Sequence, residues 1–166
     1  YILENFAEGS SQKNPSTPKI DNTLKQYFET NVKPTYDEYI GLPNINQVKD
    51  ENMAHEVCVA RQIPKVYWDK LFFANDFQEW VESKVPGKYK FVNEPRLVIP
   101  FYDKAGKMFM AQGRSLFKSK MKYLTVRIDE DAPKVYGLER WNRDSRTYVV
   151  EGPIDSLFLK NCLAVA

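Results

Sequence analysis

The sequence predicts an α+β fold, with a helical N-terminal part, a mixed β-hairpin region and a closing β-α-β portion. Three observations predict it. Apolar residues recur at helical spacing between residues 53 and 81. Between residues 97 and 112, two strand-like runs flank the turn Asp103-Lys104-Ala105-Gly106. Finally, VVEGPIDSLFLKN at 149–161 carries an apolar run through Gly152-Pro153 into a helix pattern, and strand-like CLAVA comes next.

Taken in order, residues 9–19 (GSSQKNPSTPK) have the chemistry of a surface loop, with no large apolar group. Residues 23–30 read as a short helix and Leu42-Pro43-Asn44 as a turn. Asp50 and Asn52 are cap candidates for a helix with Met53, Val57 and Ala60 on one face and Cys58 beside them. Pro64 suits a first helical position ahead of Val66, Tyr67, Trp68, Leu71 and Phe72. Asn75 with Gln78 three residues on has the form of a capping box, opening a helix that carries Phe77, Trp80 and Val81 inward and ends at Pro86-Gly87. Pro100 demotes the first hairpin strand to an edge or places a bulge there. A third strand falls at about 123–128. Residues 134–143 fit helix or strand, 147–150 read as a short buried strand, and 153–160 as a helix with Ile154, Leu157 and Phe158 on one face. No internal repeat is visible.

The length of 166 residues suits one domain or two small ones. Lys and Arg number 24 against 22 Asp and Glu, so global charge demands no nucleic-acid partner and local clusters must carry any such argument. Cys58 and Cys162 stand far apart without a CxxC, which excludes a zinc module from this stretch and reads as two buried thiols in a reducing compartment. No apolar run approaches the ~20 residues of a membrane helix, so no membrane partner is expected. No signal-peptide pattern opens the chain, and its Tyr1 start and strand-like end read as a fragment of something longer. His55 is the single histidine; without a second His or an evident acidic partner it reads as structural, and a His-based hydrolase triad would have to use it. No glycine-rich phosphate loop occurs. The aromatics between residues 67 and 80 read as core.

Several constellations can carry chemistry. Glu151 ends a strand beside a helix start that holds Asp155, a placement suited to metal-assisted phosphate chemistry; Mg²⁺ takes one or two carboxylates plus phosphate oxygens and water. The plain alternative is an exposed Glu on an ordinary strand-turn-helix. Arg96 before the hairpin and Gly113-Arg114 after it, with Lys104 and Lys107 at the turn, can grip phosphates, Gly113 letting backbone approach a ligand. The plain alternative is solvated strand ends. Lys118, Lys120 and Lys122 followed by Tyr123 can form a basic edge for single-stranded nucleic acid, or simply a soluble loop. Arg140, Arg143 and Arg146, with Trp141, have the spacing of a solvated helical face.

The order of these motifs resembles the catalytic core of bacterial-type DNA primases, in its bacteriophage versions most of all. ARQIPKVYWDKL from Ala60 is similar to a helical segment of that family. RLVIPFYDKAGKMFMAQGR matches the family's hairpin at Arg96, Pro100, Asp103, Gly106 and Gly113-Arg114. Lys122-Tyr123-Leu124 and Tyr136-Gly137-Leu138 come next in place, and VVEGPIDSLFL resembles the opening of the Toprim fold, the metal-binding α/β fold shared by these primases and topoisomerases. The resemblance covers about residues 60–166. Gln112, where the family has Gly, and Thr125, where it has Asn, are departures, and the family's downstream Asp-x-Asp motif is absent from the chain.

The resemblance implies a division into 1–50, a partly flexible linker or tail of a preceding module; 51–145, the N-terminal subdomain of a primase core; and 146–166, an incomplete Toprim start. It implies a DNA-directed RNA polymerase that makes short RNA primers on single-stranded DNA during replication, from ribonucleoside triphosphates, with Mg²⁺ or Mn²⁺. Zinc would belong only to a preceding module. Glu151 and Lys122 would be catalytic, Glu151 and Asp155 would hold metal, and Arg96, Gly113, Arg114, Lys122 and Tyr123 would line the groove for template and nucleotide. A replicative helicase is a common partner of such primases, and the location implied is cytoplasmic, in the host cell if the source is viral. The segment alone is expected to be inactive. Two other readings stand beside this one: another Toprim enzyme, such as a nuclease or recombination protein, and a non-catalytic single-strand-binding module.

Overall fold

The computed structural model describes residues 22–28, 36 and 40–165. The loop expected at 9–19, and most of the stretch 1–50, lie outside them. Among the described residues, two sheets and four α-helices organise the fold.

The larger sheet is antiparallel, in the order β1 (Phe72–Ala74), β2 (Arg96–Tyr102), β3 (Met108–Ser115), β4 (Tyr123–Arg127). Strand alternation sends Val98, Ala111, Leu124 and Val126 to one face, where α3 (Phe77–Lys84) lays down Phe77, Trp80 and Val81. Leu97, Ile99, Phe101 and Met110 face the other way, into a core shared with α1 (Asn22–Phe28), α2 (Met53–Ala60) and Trp68 of the 3₁₀ helix Lys65–Lys70. Tyr27 of α1 donates to Asp129 Oδ2; burial first, then that carboxylate, pushes the Tyr27 phenol up to about 12, so it remains a donor at neutral pH.

The smaller sheet has the order β5-β7-β6, from β5 (Val135–Tyr136), β6 (Tyr148–Val150) and β7 (Cys162–Val165). β6 and β7 are parallel and joined through α4 (Pro153–Ser156), the β-α-β unit expected. β5 pairs antiparallel with β7, so a division at 145/146 runs through this sheet. Tyr136, Ile154, Leu157 and Ala164 enter the common core, the Tyr136 ring lying 5.0 Å from Phe101. Both cysteines are free and buried, as expected.

Several local expectations are corrected. Asn52 does cap α2, accepting from Ala54 N at 2.8 Å, but the buried face is Ala54 and Cys58, with Ala60 exposed. The capping box at Asn75 does not form. Asp76 takes the cap position, and the Gln78 amide instead donates to Tyr89 O and accepts from Phe91 N, pinning the next loop. The helix expected after Pro64 stops at Lys70, because residues 72–74 find a ladder on β2 and Phe73 N bonds Pro43 O; an unbroken apolar run leaves its period ambiguous. Pro100 lies in an interior strand, yet β1 pairs only as far as Val98, so the missing N–H breaks no β1 ladder; a bulge comes next at Phe101/Tyr102. β6 is not buried: it is a sheet edge, and Tyr148 and Val149 are exposed. α4 ends at Ser156, leaving Phe158 exposed, and Asn161 (φ 49°) closes the turn by donating to the carbonyls of Asn142, Ser145 and Arg146.

Candidate functional site

The expected site residues fall into two groups, one at an end of the larger sheet and one at the β6–α4 turn of the smaller.

Arg96, Gly113, Arg114, Lys122 and Tyr123 gather where β2 begins, β3 ends and β4 begins. Arg96 is 2% exposed. Its Nη1 donates to Gly113 O at 2.8 Å, and its Nη2 to Met121 O at 3.0 Å and to the Glu94 carboxylate. Burial lowers its pKa while Glu94 works against that. The guanidinium therefore ties three chain segments together from inside. Gly113 also receives a packing reason in place of the expected close approach to a ligand: a Cβ there would sit 2.4 Å from Cζ of the buried Phe77.

Arg114 and Tyr123 are cross-strand partners and so share a face. Arg114 is half-buried, with Nη1 3.3 Å from Ser115 O and Nε buried without a hydrogen-bond partner. Tyr123 is exposed, and Lys122 Nζ lies 5.7 Å from its ring centroid. These three residues bring two cations and an aromatic ring to the surface. The two departures from the family pattern meet directly: Gln112 pairs with Thr125 across the strands, and Gln112 Nε2 reaches Thr125 Oγ1 at 3.3 Å.

Glu151 is exposed at the end of β6, and Asp155 is exposed in the first turn of α4, with Pro153 at the helix start as expected. Gly152 has an ordinary backbone (φ −103°, ψ 133°), so its conformational freedom is unused. Its value is space: a Cβ would lie 2.5 Å from Asp155 Oδ2. The Asp155 carboxylate thus folds back over the turn just after Glu151. Mg²⁺ takes one or two carboxylates and completes its shell with water and phosphate, and Glu151 and Asp155 are the two carboxylates this strand-to-helix turn carries. Among the described residues, no group of three or more His, Cys, Asp or Glu side chains gathers for a metal.

Arg140, expected on a solvated helical face with Arg143 and Arg146, is instead the hub of the smaller sheet. It ends a three-residue 3₁₀ helix (Leu138–Arg140), after which the chain extends; Arg143 and Arg146 stay exposed. Nη2 donates to Ser156 Oγ at 2.7 Å and Cys162 O at 3.2 Å, Nη1 reaches Glu139 Oε1 at 3.1 Å, and the Tyr136 ring lies 4.6 Å away. Ser156 Oγ passes the tie on to Pro153 O at 2.7 Å. Burial pulls the Arg140 pKa down; Tyr136 and Glu139 outweigh it, and the net direction is up. The sequence signal was Gly137, held at φ 92° with Arg140 packed where a Cβ would stand. His55, expected to lack an acidic partner, has Asp50 at 3.4 Å, and its ring meets Trp68 edge-on.

This arrangement, an antiparallel sheet with a helix on one face followed by a carboxylate-bearing β-α-β unit, is a fold shared with solved primase catalytic cores. The chain superposes on the Escherichia coli primase catalytic core with a TM-score of 0.56 at 16% identity, over 74% of this chain and 51% of that one. A DnaG primase catalytic domain bound to single-stranded DNA aligns with a TM-score of 0.56 at 18% identity, over 74% and 51%. A primase domain from Pseudomonas aeruginosa aligns at 0.53 and 21%, over 69% and 46%. At these identities the likeness is one of fold. In sequence, the chain is 47% identical over 123 residues to the DNA primase of Enterobacteria phage T4, across 73% of this chain and 36% of that protein. No family model matches. The resemblance to bacterial-type and bacteriophage primases is borne out, and the chain spans about a third of the length of the curated relative it matches. Among the described residues, no helix is long and apolar enough to cross a membrane.

Proposed function

We propose that the parent protein is a primase, a nucleotidyltransferase that joins ribonucleotides into short RNA primers on single-stranded DNA. The observation that carries this reading is the Glu151–Asp155 turn, set in a chain 47% identical to a DNA primase. Glu151 and Asp155 would hold Mg²⁺ or Mn²⁺, which when bound supplies neutralising charge to the phosphates of the incoming nucleotide. Arg114 and Lys122 place phosphates, the Lys122 ammonium serving the charge that develops as the phosphodiester forms, and Tyr123 stacks on a base. Arg96, inside the sheet end, holds these three in register. Positioning of the two reactants contributes much of the rate. A replicative helicase is the neighbour this role suggests, in the cytoplasm of the cell where replication occurs.

Ribonucleotide incorporation by the full-length protein on a single-stranded template tests the reading. Metal-dependent primers that vanish in Glu151→Ala support it; DNA cleavage without incorporation supports another Toprim enzyme. Residues 1–166 alone should give no product above the Glu151→Ala background, since two carboxylates are too few for a bound metal pair.

Gly152→Ala separates space from fold. The added methyl meets only the end of the Asp155 side chain, which can swing away, so the melting temperature should move by no more than about 2 °C. Mn²⁺ affinity of the full-length protein, followed by electron paramagnetic resonance, should fall severalfold because Asp155 leaves the turn. Unchanged affinity would remove Asp155 from the metal site.

A further inference from the structure

The β3–β4 connection, residues 116–122, has a composition and a surface that do not fit a simple solubilising loop. Phe117 and Met121 are 54% and 58% exposed, and Tyr123 beyond them is 37% exposed. Burying a Phe or Met side chain is favourable, so a loop free to collapse would bury them. This loop is held open. Ser115 N donates to Lys122 O at 2.9 Å, Ser115 Oγ bonds both the N–H and the carbonyl of Phe117, and Met121 N donates to Ser119 Oγ. The buried Arg96 grips Met121 O, while Leu116 packs inward against the core. Lys118, Lys120 and Lys122, all exposed, alternate with the apolar groups, and no Asp or Glu occurs between residues 104 and 128.

We propose that loop 116–122 is a stacking rim for single-stranded nucleic acid, with Phe117 and Met121 against base faces and the three lysines on the phosphates between them. The alternation of cations and apolar groups matches the alternation of charge and π-face along a single strand, whereas a duplex hides its base faces. The rim continues into Tyr123 and Arg114, so the strand it holds runs into the sheet-end site. The inference rests on the primase reading, which requires a single-stranded template, and adds residues that act on the bases.

Fluorescence anisotropy with the full-length protein and a short mixed-sequence single-stranded DNA tests it. Phe117→Ala should weaken binding about tenfold and Met121→Ala by somewhat less, with the salt dependence unchanged. A Lys118→Gln/Lys120→Gln/Lys122→Gln variant should instead reduce the slope of log affinity against log salt by about 2. On a strand of abasic sites, Phe117→Ala should bind as the unaltered protein does, since there is no base to stack on. Both side chains are exposed, so the variants should fold, and an unchanged melting temperature checks that they do. Normal binding by both alanine variants, or an equal loss on the abasic strand, overturns the proposal alone. Failure of the unaltered protein to bind any single strand overturns the primase reading with it.

Discussion

Arg140→Met should cost the protein about 3 kcal/mol of stability, the lower end of the range for removing one partner of a buried ion pair. The reason lies in the carboxylate that stays behind. The Glu139 side chain is 2% exposed, its Oε2 already lacks a hydrogen-bond partner, and Arg140 is its one ion-pair partner among the described residues. Lys104 is near enough to feel Glu139, but its Nζ is committed to Trp141 O. Met fills most of the volume and supplies no charge, so the Glu139 carboxylate is left buried without its partner. Cys162 O also loses its donor. A loss of this size corresponds to roughly 10 °C in melting temperature for a chain of this length. In urea it emerges as a lower midpoint with the slope unchanged. Arg140→Lys keeps the charge but loses the fork that reaches Ser156, Cys162 and Glu139 together, so an intermediate loss is expected. Glu139→Gln added to Arg140→Met should recover part of the stability by removing the stranded charge. If Arg140→Met unfolds within about 1 kcal/mol of the unaltered protein, the hub role is wrong.

Gly113→Ala should destabilise by about 1–2 kcal/mol, although alanine is normally the better residue in a strand. Two effects oppose each other. Replacing glycine reduces the freedom of the unfolded chain and favours folding by about 0.4–1 kcal/mol. Against this, the new Cβ would stand 2.4–2.9 Å from three atoms of the Phe77 ring. That ring cannot yield: it is fully buried, with Trp80 at 5.7 Å, Phe91 at 5.9 Å and the Arg96 guanidinium at 5.7 Å. Overpacking of this kind costs about 1–3 kcal/mol and sometimes more, so the steric effect wins. A smaller residue at 77 should relieve it: Phe77→Leu costs stability alone but less in the Gly113→Ala background. Chemical denaturation of the four proteins gives the coupling directly, and strict additivity would mean the two positions do not touch.

Much of the chain is legible in its residues alone. The hairpin, its Asp103–Gly106 turn and the third strand come from strand-like runs broken by turn residues. Asn52 comes from cap chemistry, and the β6–α4–β7 unit from an apolar run meeting Gly-Pro. The features that are not legible share one property. β1 exists because β2 lies beside it, and the Gln78 amide, within α3, serves the next loop rather than a cap because Tyr89 O and Phe91 N take it up. β6 reads as buried from its residues but stands at a sheet edge.

The candidate site divides in the same way. The Glu151–Asp155 turn is a matter of five consecutive residues, and the residues alone place it. The arginines are not. Arg96 and Arg140 read as surface cations, yet each is enclosed by carbonyls and side chains 16–25 residues away, among them Gly113 and Met121 for one and Ser156 and Cys162 for the other. Period, turn chemistry and capping act over a few residues and are written in local order. Whether a charge is buried depends on which distant donors and acceptors surround it, and that is known only once the chain has closed on itself.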